Sequence, residues 1–279
     1  MTEKFKPYEK LTFTDDFMFA AVMESDKEIC RQVIELILGR KIRDISYPEY
    51  QHSIIIRYDS RGVRLDVTVT DADGTVFDLE MQAVKEAELP KRCRYYHGML
   101  SLEQVEKGEG YGNLKETYVV FILKNGFGKD MKKPVYTFEN YCKEEGLFLN
   151  DGAKTVFLNA ACDTDGLSDE LKAFVEYIKT GECVTDDSLV NAIDRSVIEV
   201  RENVKWRSEY MKFELMLMEA RKEEREKALA EGREEGRAEG KAKLAENYAS
   251  LVKDGILTLP DAIKRSELSE EDFKKYLEP

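Results

Sequence analysis

The sequence predicts an α/β domain followed by a long helical C-terminal extension. Runs rich in β-branched residues at 53–58, 63–70 and 75–83 are typical of strands. The run Thr117–Leu123 is almost wholly apolar, which is typical of a strand buried on both faces. Segments with apolar residues at helical spacing lie before, between and after these strands. With 279 residues the chain is long enough for one sizeable core and an appendage.

Two helices are predicted ahead of the strands. Thr14 is the expected N-cap of the first helix, with Asp15 and Asp16 as acidic residues in its first turn. The second helix is expected from about Lys27 to Leu38, where a glycine ends it.

The second and third β-branched runs are predicted to form a hairpin. The intervening Asp-Ala-Asp-Gly, residues 71–74, matches a type I turn followed by a left-handed glycine and a bulge. This turn pairs Asp71 with Thr75, and counting back places Asp66 opposite Glu80. The odd positions of both strands are apolar and are expected in the core, so Asp66, Glu80 and Gln82 share the opposite, polar face.

Three further elements and a tail are predicted after the hairpin. Pro90 begins a helix that ends near Gly108 and Gly110, a short strand covers 155–158 and a helix covers 168–179. A long helical stretch follows from about 187 to 230, and then a segment with glycine at every fourth position and charges of both signs. Glycine costs about 1 kcal/mol relative to alanine in a helix, so this segment is expected to be weakly helical and solvated.

We therefore expect three regions: a catalytic domain at 1–185, a charged helix or linker at 186–243 and a small helical module at 244–279. Within the last region a DNA-reading helix-turn-helix is a weaker alternative to a plain helical module.

Composition excludes several classes of chemistry. Only two histidines, His52 and His97, are present, which argues against paired-histidine zinc sites and histidine-relay phosphodiesterases. There is no GxSxG nucleophile elbow, and the five cysteines form no CxxC pair, so we expect them to be reduced and structural. The net charge of −13 argues against coating of nucleic acid by bulk electrostatics.

We expect a cytoplasmic protein with no membrane partner. The N-terminus has no basic-then-apolar leader, and no uninterrupted apolar run approaches the roughly 20 residues that a membrane-spanning helix needs.

The opposed carboxylates of Asp66 and Glu80 indicate a cation site. Like charges directly across a strand pair are destabilising unless a cation lies between them. Oxygen ligands of this kind are what Mg²⁺ prefers. Gln82, on the same face, is suited to orient a water or to contact phosphate. The competing interpretation is that these residues are merely the solvated face of an amphipathic hairpin.

The sequence also resembles a known family. The resemblance covers roughly residues 8–215, and the Glu-Gly-Arg-rich tail also looks like that family's extension. The motifs that carry it are Leu11–Phe19, Gly62–Val67, Asp78–Gln82, Leu89–Tyr96 and Tyr136–Asn140. Together they resemble the Rpn family of recombination-promoting nucleases, also labelled PD-(D/E)XK nuclease family transposases.

The resemblance implies a restriction-endonuclease-like core, with a mixed sheet flanked by helices. It also implies Mg²⁺-dependent DNA cleavage, with Mn²⁺ as a substitute, and a part in RecA-independent horizontal DNA transfer. It assigns Asp66 and Glu80 as metal-binding and catalytic residues, with Asp16 as a further metal-facing carboxylate. Gln82 replaces the superfamily's usual lysine, so the positive charge that this lysine supplies is missing from the strand. Asp16 has the alternative role of stabilising the first turn of its helix.

Arg92, Arg94 and Tyr96 are candidate contacts to DNA phosphate. They lie on the helix that follows the hairpin, and residues four apart, such as Arg92 and Tyr96, share a face. Tyrosines at helical spacing are otherwise typical of core residues. His97 receives no role.

Three functions therefore compete. The first is a divalent-metal-dependent DNA endonuclease, for which a homodimer or higher oligomer suits cutting of antiparallel strands. The second is a weakly active or inactive pseudo-nuclease that acts in DNA or protein interaction or in oligomerisation. The third is a true transposase, which also joins strands and uses three carboxylates on an RNase H-like fold.

Overall fold

The computed structural model describes residues 5–47, 56–59, 62–65, 67–85, 87–105, 110–128 and 131–277, without the side chains of 56–59, 62–65 and 224. Its α-helices are α1 Asp16–Ser25, α2 Lys27–Leu38, α3 Leu89–Gln104, α4 Asp169–Thr180, α5 Ser188–Glu202, α6 Val204–Lys253, α7 Leu259–Ser266 and α8 Glu270–Lys274. Its strands are β1 Ile45–Ser46, β2 Ile56–Asp59, β3 Gly62–Leu65, β4 Val67–Asp71, β5 Val76–Gln82, β6 Thr117–Leu123, β7 Val135–Phe138, β8 Tyr141–Cys142, β9 Leu147–Phe148 and β10 Ala153–Asn159.

A mixed sheet forms the centre of the fold. Within the described ranges its strand order is β1-β4-β5-β6-β10-β7. Strand β6 lies between β5 and β10 and is parallel to both, whereas β4 is antiparallel to β5 and β7 to β10. All seven residues of β6 are buried, as its apolar sequence predicts. The sheet and its flanking helices confirm the predicted α/β fold with a mixed sheet.

Helices cover both faces of the sheet. On one face α1, α2, α4 and α5 pack against alternate side chains of the strands, including Leu79, Ile122 and Leu158. On the other face α3 packs Leu89, Cys93, Tyr96 and Leu100 against Val119, Phe121, Leu123 and Phe157. The side chains on both faces of the central strands are therefore screened from water.

The first helices differ slightly from the prediction. Helix α2 begins and ends where expected, and Gly39 ends it in the left-handed conformation with φ 64°. The N-cap of α1 is Asp15 rather than Thr14, and the Asp15 side chain makes no capping bond to the helix. Instead, the Asp15 carboxylate accepts hydrogen bonds from the backbone N–H of Thr12, 2.6 Å away, and from the Thr12 hydroxyl.

The run predicted as one strand at 63–70 divides between two sheets. Strand β3 pairs with β2 in a separate two-stranded sheet, whereas β4 pairs with β1 and β5 in the main sheet. The predicted strand at 53–58 begins among residues outside the described ranges, and its described part belongs to β2.

Two compact units divide the chain, Met1–Met216 and Leu217–Pro279. Helix α5 and Tyr210 of α6 belong to the core of the first unit, which therefore includes residues that we expected in the extension. The predicted helix at 187–230 is interrupted at Asn203. The glycine-repeat segment lies within α6 and is exposed.

The second unit has a small core of its own. Ala245 and Ala249 of α6 pack with Ala262 of α7 and Phe273 of α8, which is fully buried. Gly255, with φ 70°, turns the chain between α6 and α7. No helix in the described part of the chain is long and apolar enough to cross a lipid bilayer.

Candidate active site at the β4–β5 hairpin

The β4–β5 hairpin has the predicted turn and register. Gly74 adopts φ 89° and its N–H donates to the carbonyl of Asp71, while the N–H of Asp71 donates to the carbonyl of Thr75. The carboxylate of Asp71 accepts the N–H groups of Asp73 and Thr75, both at 2.9 Å. These bonds set the register that pairs Val69 with Phe77.

Further from the turn, the same register places Thr68 opposite Asp78 and Val67 opposite Leu79. The predicted pairing of Asp66 with Glu80 is the next step. Asp66 lies outside the described residues, so that pairing stays a prediction.

The alternation of β5 is confirmed, but its polar face is not solvated. Phe77, Leu79 and Met81 are buried in the core beneath α1 and α2. On the opposite face Asp78 is 0% exposed and Glu80 is 5% exposed, because α3 covers this side of the sheet. The interpretation of the hairpin as simply amphipathic with a solvated face is therefore wrong for the described residues.

Arg92 of α3 is the cation that meets Glu80. Its Nη2 lies 2.5 Å from Oε2 of Glu80, and its Nη1 donates to Oε1 of Gln82 at 3.0 Å. The amide of Gln82 in turn donates to the carbonyl of Val84 at 2.8 Å. A buried carboxylate is costly without a charged partner, so Arg92 compensates the charge of Glu80 and connects α3 to the end of β5.

Aromatic side chains hold the guanidinium of Arg92 in place. Its Nε and Nη2 donate to the hydroxyl of Tyr96 at 3.1 and 2.8 Å. Its central carbon lies 5.5 Å from the Tyr96 ring centroid and 5.3 Å from that of Phe121. Such contacts with aromatic rings stabilise a guanidinium. The Arg92 side chain is nevertheless 27% exposed, so solvent still reaches it.

The other two predicted phosphate contacts lie elsewhere on α3. Tyr96 is 5% exposed and its ring stacks on Phe121. It therefore packs within the protein and positions Arg92, and it presents no open surface to a phosphate. Arg94 is exposed to solvent. Two residues from Arg92 it faces about 200° away around the helix, so the structure does not bring Arg94 to Glu80.

Asp16 lies at the start of α1, within the electrostatic reach of Arg92. Burial among surrounding protein raises the pKa of Asp16 to about 6, Asp15 adds to the rise and Arg92 lowers it. The side chain is still accessible to water. First-turn stabilisation alone would lower the pKa of Asp16, so burial outweighs that effect.

Lys124, which the sequence analysis overlooked, follows β6 directly. Its N–H donates to the carbonyl of Gln82 at 3.1 Å, and its Nζ lies 3.4 Å from the hydroxyl of Thr14. Asn125 extends the same edge by donating to the carbonyl of Ala83 at 2.5 Å. Ligand-binding residues tend to follow the carboxyl ends of parallel strands, so a lysine directly after an all-apolar strand was the signal available in the sequence.

His97 bridges two strands rather than joining this cluster. Its ring nitrogens lie 2.9 Å from the Thr117 hydroxyl and 3.1 Å from the Thr155 hydroxyl. Burial lowers the pKa of His97.

The described donors have the chemistry of a Mg²⁺ site but do not complete one. Glu80 and Asp16 offer carboxylate oxygens, the ligand type that Mg²⁺ prefers. Within the described ranges no three histidine, cysteine, aspartate or glutamate side chains come together closely enough to hold a metal ion. Asp66, which the sequence predicts opposite Glu80, lies outside the described residues.

Comparison with protein families found a match over most of the chain. The model of the family described as PD-(D/E)XK nuclease family transposase matches residues 13–247. No curated protein and no solved structure matches the chain.

Proposed function

Because the chain belongs to the PD-(D/E)XK nuclease family transposases, we propose that it is a divalent-metal-dependent DNA endonuclease that hydrolyses phosphodiester bonds. The observation that carries this proposal is Glu80. It is a carboxylate on an inner strand, 5% exposed, held by Arg92, and one register step from the pair formed by Val67 and Leu79. A carboxylate so placed is too costly to bury for solubility or packing alone.

Carboxylates from the hairpin and from α1 are the proposed ligands of the metal ion. Asp66 and Glu80 hold the metal ion, and Asp16 contributes a further carboxylate from the start of α1. When bound, Mg²⁺ or Mn²⁺ polarises the scissile phosphate and lowers the pKa of a water ligand. Gln82 and Arg92 position Glu80.

We assign contacts with the DNA backbone to two cations, one at the end of β6 and one on the face of α3 that points away from Glu80. Arg94 on the exposed side of α3 and Lys124 at the end of β6 are suited to phosphate contact. Such local contacts are compatible with the net charge of −13, because they do not require a uniformly basic surface.

The resemblance to the recombination-promoting nucleases supports a wider setting for this activity. We propose a cytoplasmic nuclease that promotes DNA recombination and horizontal transfer. A homodimer or higher oligomer would place two such sites on the antiparallel strands of one duplex.

A pseudo-nuclease is the second candidate, and one observation favours it. Both ends of the Gln82 amide are engaged, one with Arg92 and one with the Val84 carbonyl. Gln82 cannot carry charge, so β5 supplies no cation of its own for the reaction. Under this alternative the protein binds DNA or partner proteins without turnover.

Plasmid cleavage distinguishes the two candidates. Purified protein is incubated with supercoiled plasmid in Mg²⁺, Mn²⁺ or Ca²⁺, beside Asp66→Ala and Glu80→Ala variants of verified fold. The matched control is Asp73→Asn, an exposed carboxylate at the turn of the same hairpin, paired there with Arg43. Nicking by the wild type and by Asp73→Asn, lost in both site variants, supports the nuclease. Intact plasmid in every lane rejects it in favour of the pseudo-nuclease.

A further inference from the structure

Glu80 offers one buried carboxylate to two different cations. In the structure the guanidinium of Arg92 occupies it at 2.5 Å. The proposed function, on which this inference rests, requires the same carboxylate to bind a divalent metal ion. Two cations on one carboxylate repel each other, and around a side chain that is 6% exposed little water is present to screen that repulsion.

The contacts of Arg92 show that it does not depend on Glu80 alone for its position. The hydroxyl of Tyr96 accepts two of its N–H groups, Gln82 accepts a third, and its central carbon lies 5.5 and 5.3 Å from the ring centroids of Tyr96 and Phe121. These contacts come from α3, β5 and β6. They would keep the guanidinium beside the site after Glu80 turned away from it.

We propose that Arg92 and the metal ion are alternative counter-cations of Glu80. In the structure Arg92 neutralises the carboxylate and so makes its burial tolerable. When Glu80 binds the metal ion, the Nη2 group that it releases stays at the site, held by Tyr96 and Gln82, and donates to the scissile phosphate. Arg92 thereby supplies the positive charge that β5 lacks at Gln82.

The proposal makes opposite predictions for metal affinity and for turnover. Removing the guanidinium removes a competitor of the metal ion, and a charged hydrogen bond of this kind corresponds to about a tenfold change in affinity. Arg92→Gln is therefore expected to bind Mn²⁺ about tenfold more tightly than the wild type. Its cleavage rate should fall about 100-fold, as when one donor to the developing charge is lost. If Arg92 had a purely structural role, Arg92→Gln would weaken both Mn²⁺ binding and cleavage.

These opposite effects are tested by calorimetric titration with Mn²⁺ and by single-turnover cleavage. Both are measured on the wild type, Arg92→Gln and Lys91→Gln. Lys91 is the adjacent, 75% exposed cation of α3, and its loss controls for a general change in charge. Tighter Mn²⁺ binding with slower cleavage in Arg92→Gln alone supports the proposal. Unchanged or weaker binding in a folded Arg92→Gln overturns it.

A measurement on the wild type covers the case in which Arg92→Gln does not fold. The Nε–H resonance of Arg92, assigned with Arg92→Lys, is followed by NMR during titration with Mg²⁺. It should shift, and saturate at the Mg²⁺ concentration that saturates binding in calorimetry. A resonance that stays fixed at saturating Mg²⁺ overturns the proposal.

The outcomes separate the inference from the function on which it rests. A wild type that binds metal and cuts DNA, with Arg92→Gln equal to it in both, refutes the role of Arg92 and leaves the nuclease intact. A wild type that binds no divalent metal refutes both.

Discussion

Glu24, at the end of α1, should make the stability of the first unit fall as pH rises. Burial raises the pKa of Glu24 from 4.5 to about 7, and Lys205 only partly offsets the rise. The folded protein therefore binds the Glu24 proton more tightly than the unfolded chain does. Stability is greatest below the unfolded pKa of 4.5 and is lost progressively up to the folded pKa of about 7.

The size of the effect follows from the shift. Each pKa unit corresponds to about 1.4 kcal/mol, so the shift at Glu24 predicts about 3 kcal/mol as an upper value. Glu24→Gln keeps the shape and removes the titration. Its free energy of unfolding relative to the wild type should therefore rise by up to about 3 kcal/mol between pH 4.5 and pH 8.

Urea unfolding followed by Trp206 fluorescence measures this difference. Trp206 is the single tryptophan and packs edge-on against Phe17 in the core of the first unit. Glu28→Gln is the matched control, because Arg31 and Gln32 lower the pKa of Glu28 to about 2. Glu28 is therefore ionised in both states near pH 8 and changes little down to pH 4.5. If the difference in unfolding free energy between Glu24→Gln and the wild type is the same at pH 4.5 and pH 8, the pKa of Glu24 is not raised in the folded protein.

Two further predictions concern stability. Burial lowers the pKa of His97, so the fold should lose stability as pH falls below about 6.5. Protonation of His97 disturbs its bonds to Thr117 and Thr155. In thermal unfolding, His97→Gln should lose less stability at low pH than the wild type, and equal pH dependence in both proteins would contradict this. Gly74→Ala should lower the free energy of unfolding by about 1–2 kcal/mol, because φ at this position is 89° and the new Cβ would lie 3.3 Å from Cε of Lys115. A urea unfolding midpoint equal to that of the wild type would show that the turn does not require glycine.

Local chemistry explains why the hairpin was predictable. The turn at 71–74 needs a glycine with positive φ and an aspartate that accepts backbone N–H groups, and both requirements can be read from four residues. Once the turn is known, the period of two assigns Phe77 and Leu79 to the core. The helix that ends at Gly39 follows from the same kind of local signal.

The environment of Glu80 was not predictable, because it depends on packing between distant segments. Arg92 is twelve residues from Glu80 and reaches it only because α3 lies across the sheet face that carries Glu80 and Gln82. Alternation tells which face a strand residue occupies but not what covers that face. The face that the competing interpretation takes as solvated is for that reason buried at Glu80, where Arg92 compensates the charge.

The position of Lys124 and the capping of α1 also depend on tertiary contacts. Asp15 accepts bonds from Thr12 instead of capping α1, so the helix begins one residue later than propensity suggests. Lys124 reaches Thr14 only because the end of β6 lies beside the start of α1. Neither proximity leaves a periodic signal in the sequence.

The central claim is that Glu80 belongs to a metal site that cleaves DNA, and one paired measurement on Glu80→Gln tests it most directly. Mn²⁺ binding by calorimetry and single-turnover cleavage of a labelled duplex are measured on the same samples of wild type, Glu80→Gln and Asp73→Asn. Glu80→Gln should lose both Mn²⁺ binding and cleavage while it remains folded, and Asp73→Asn should keep both. Cleavage by a folded Glu80→Gln at the wild-type rate would contradict it.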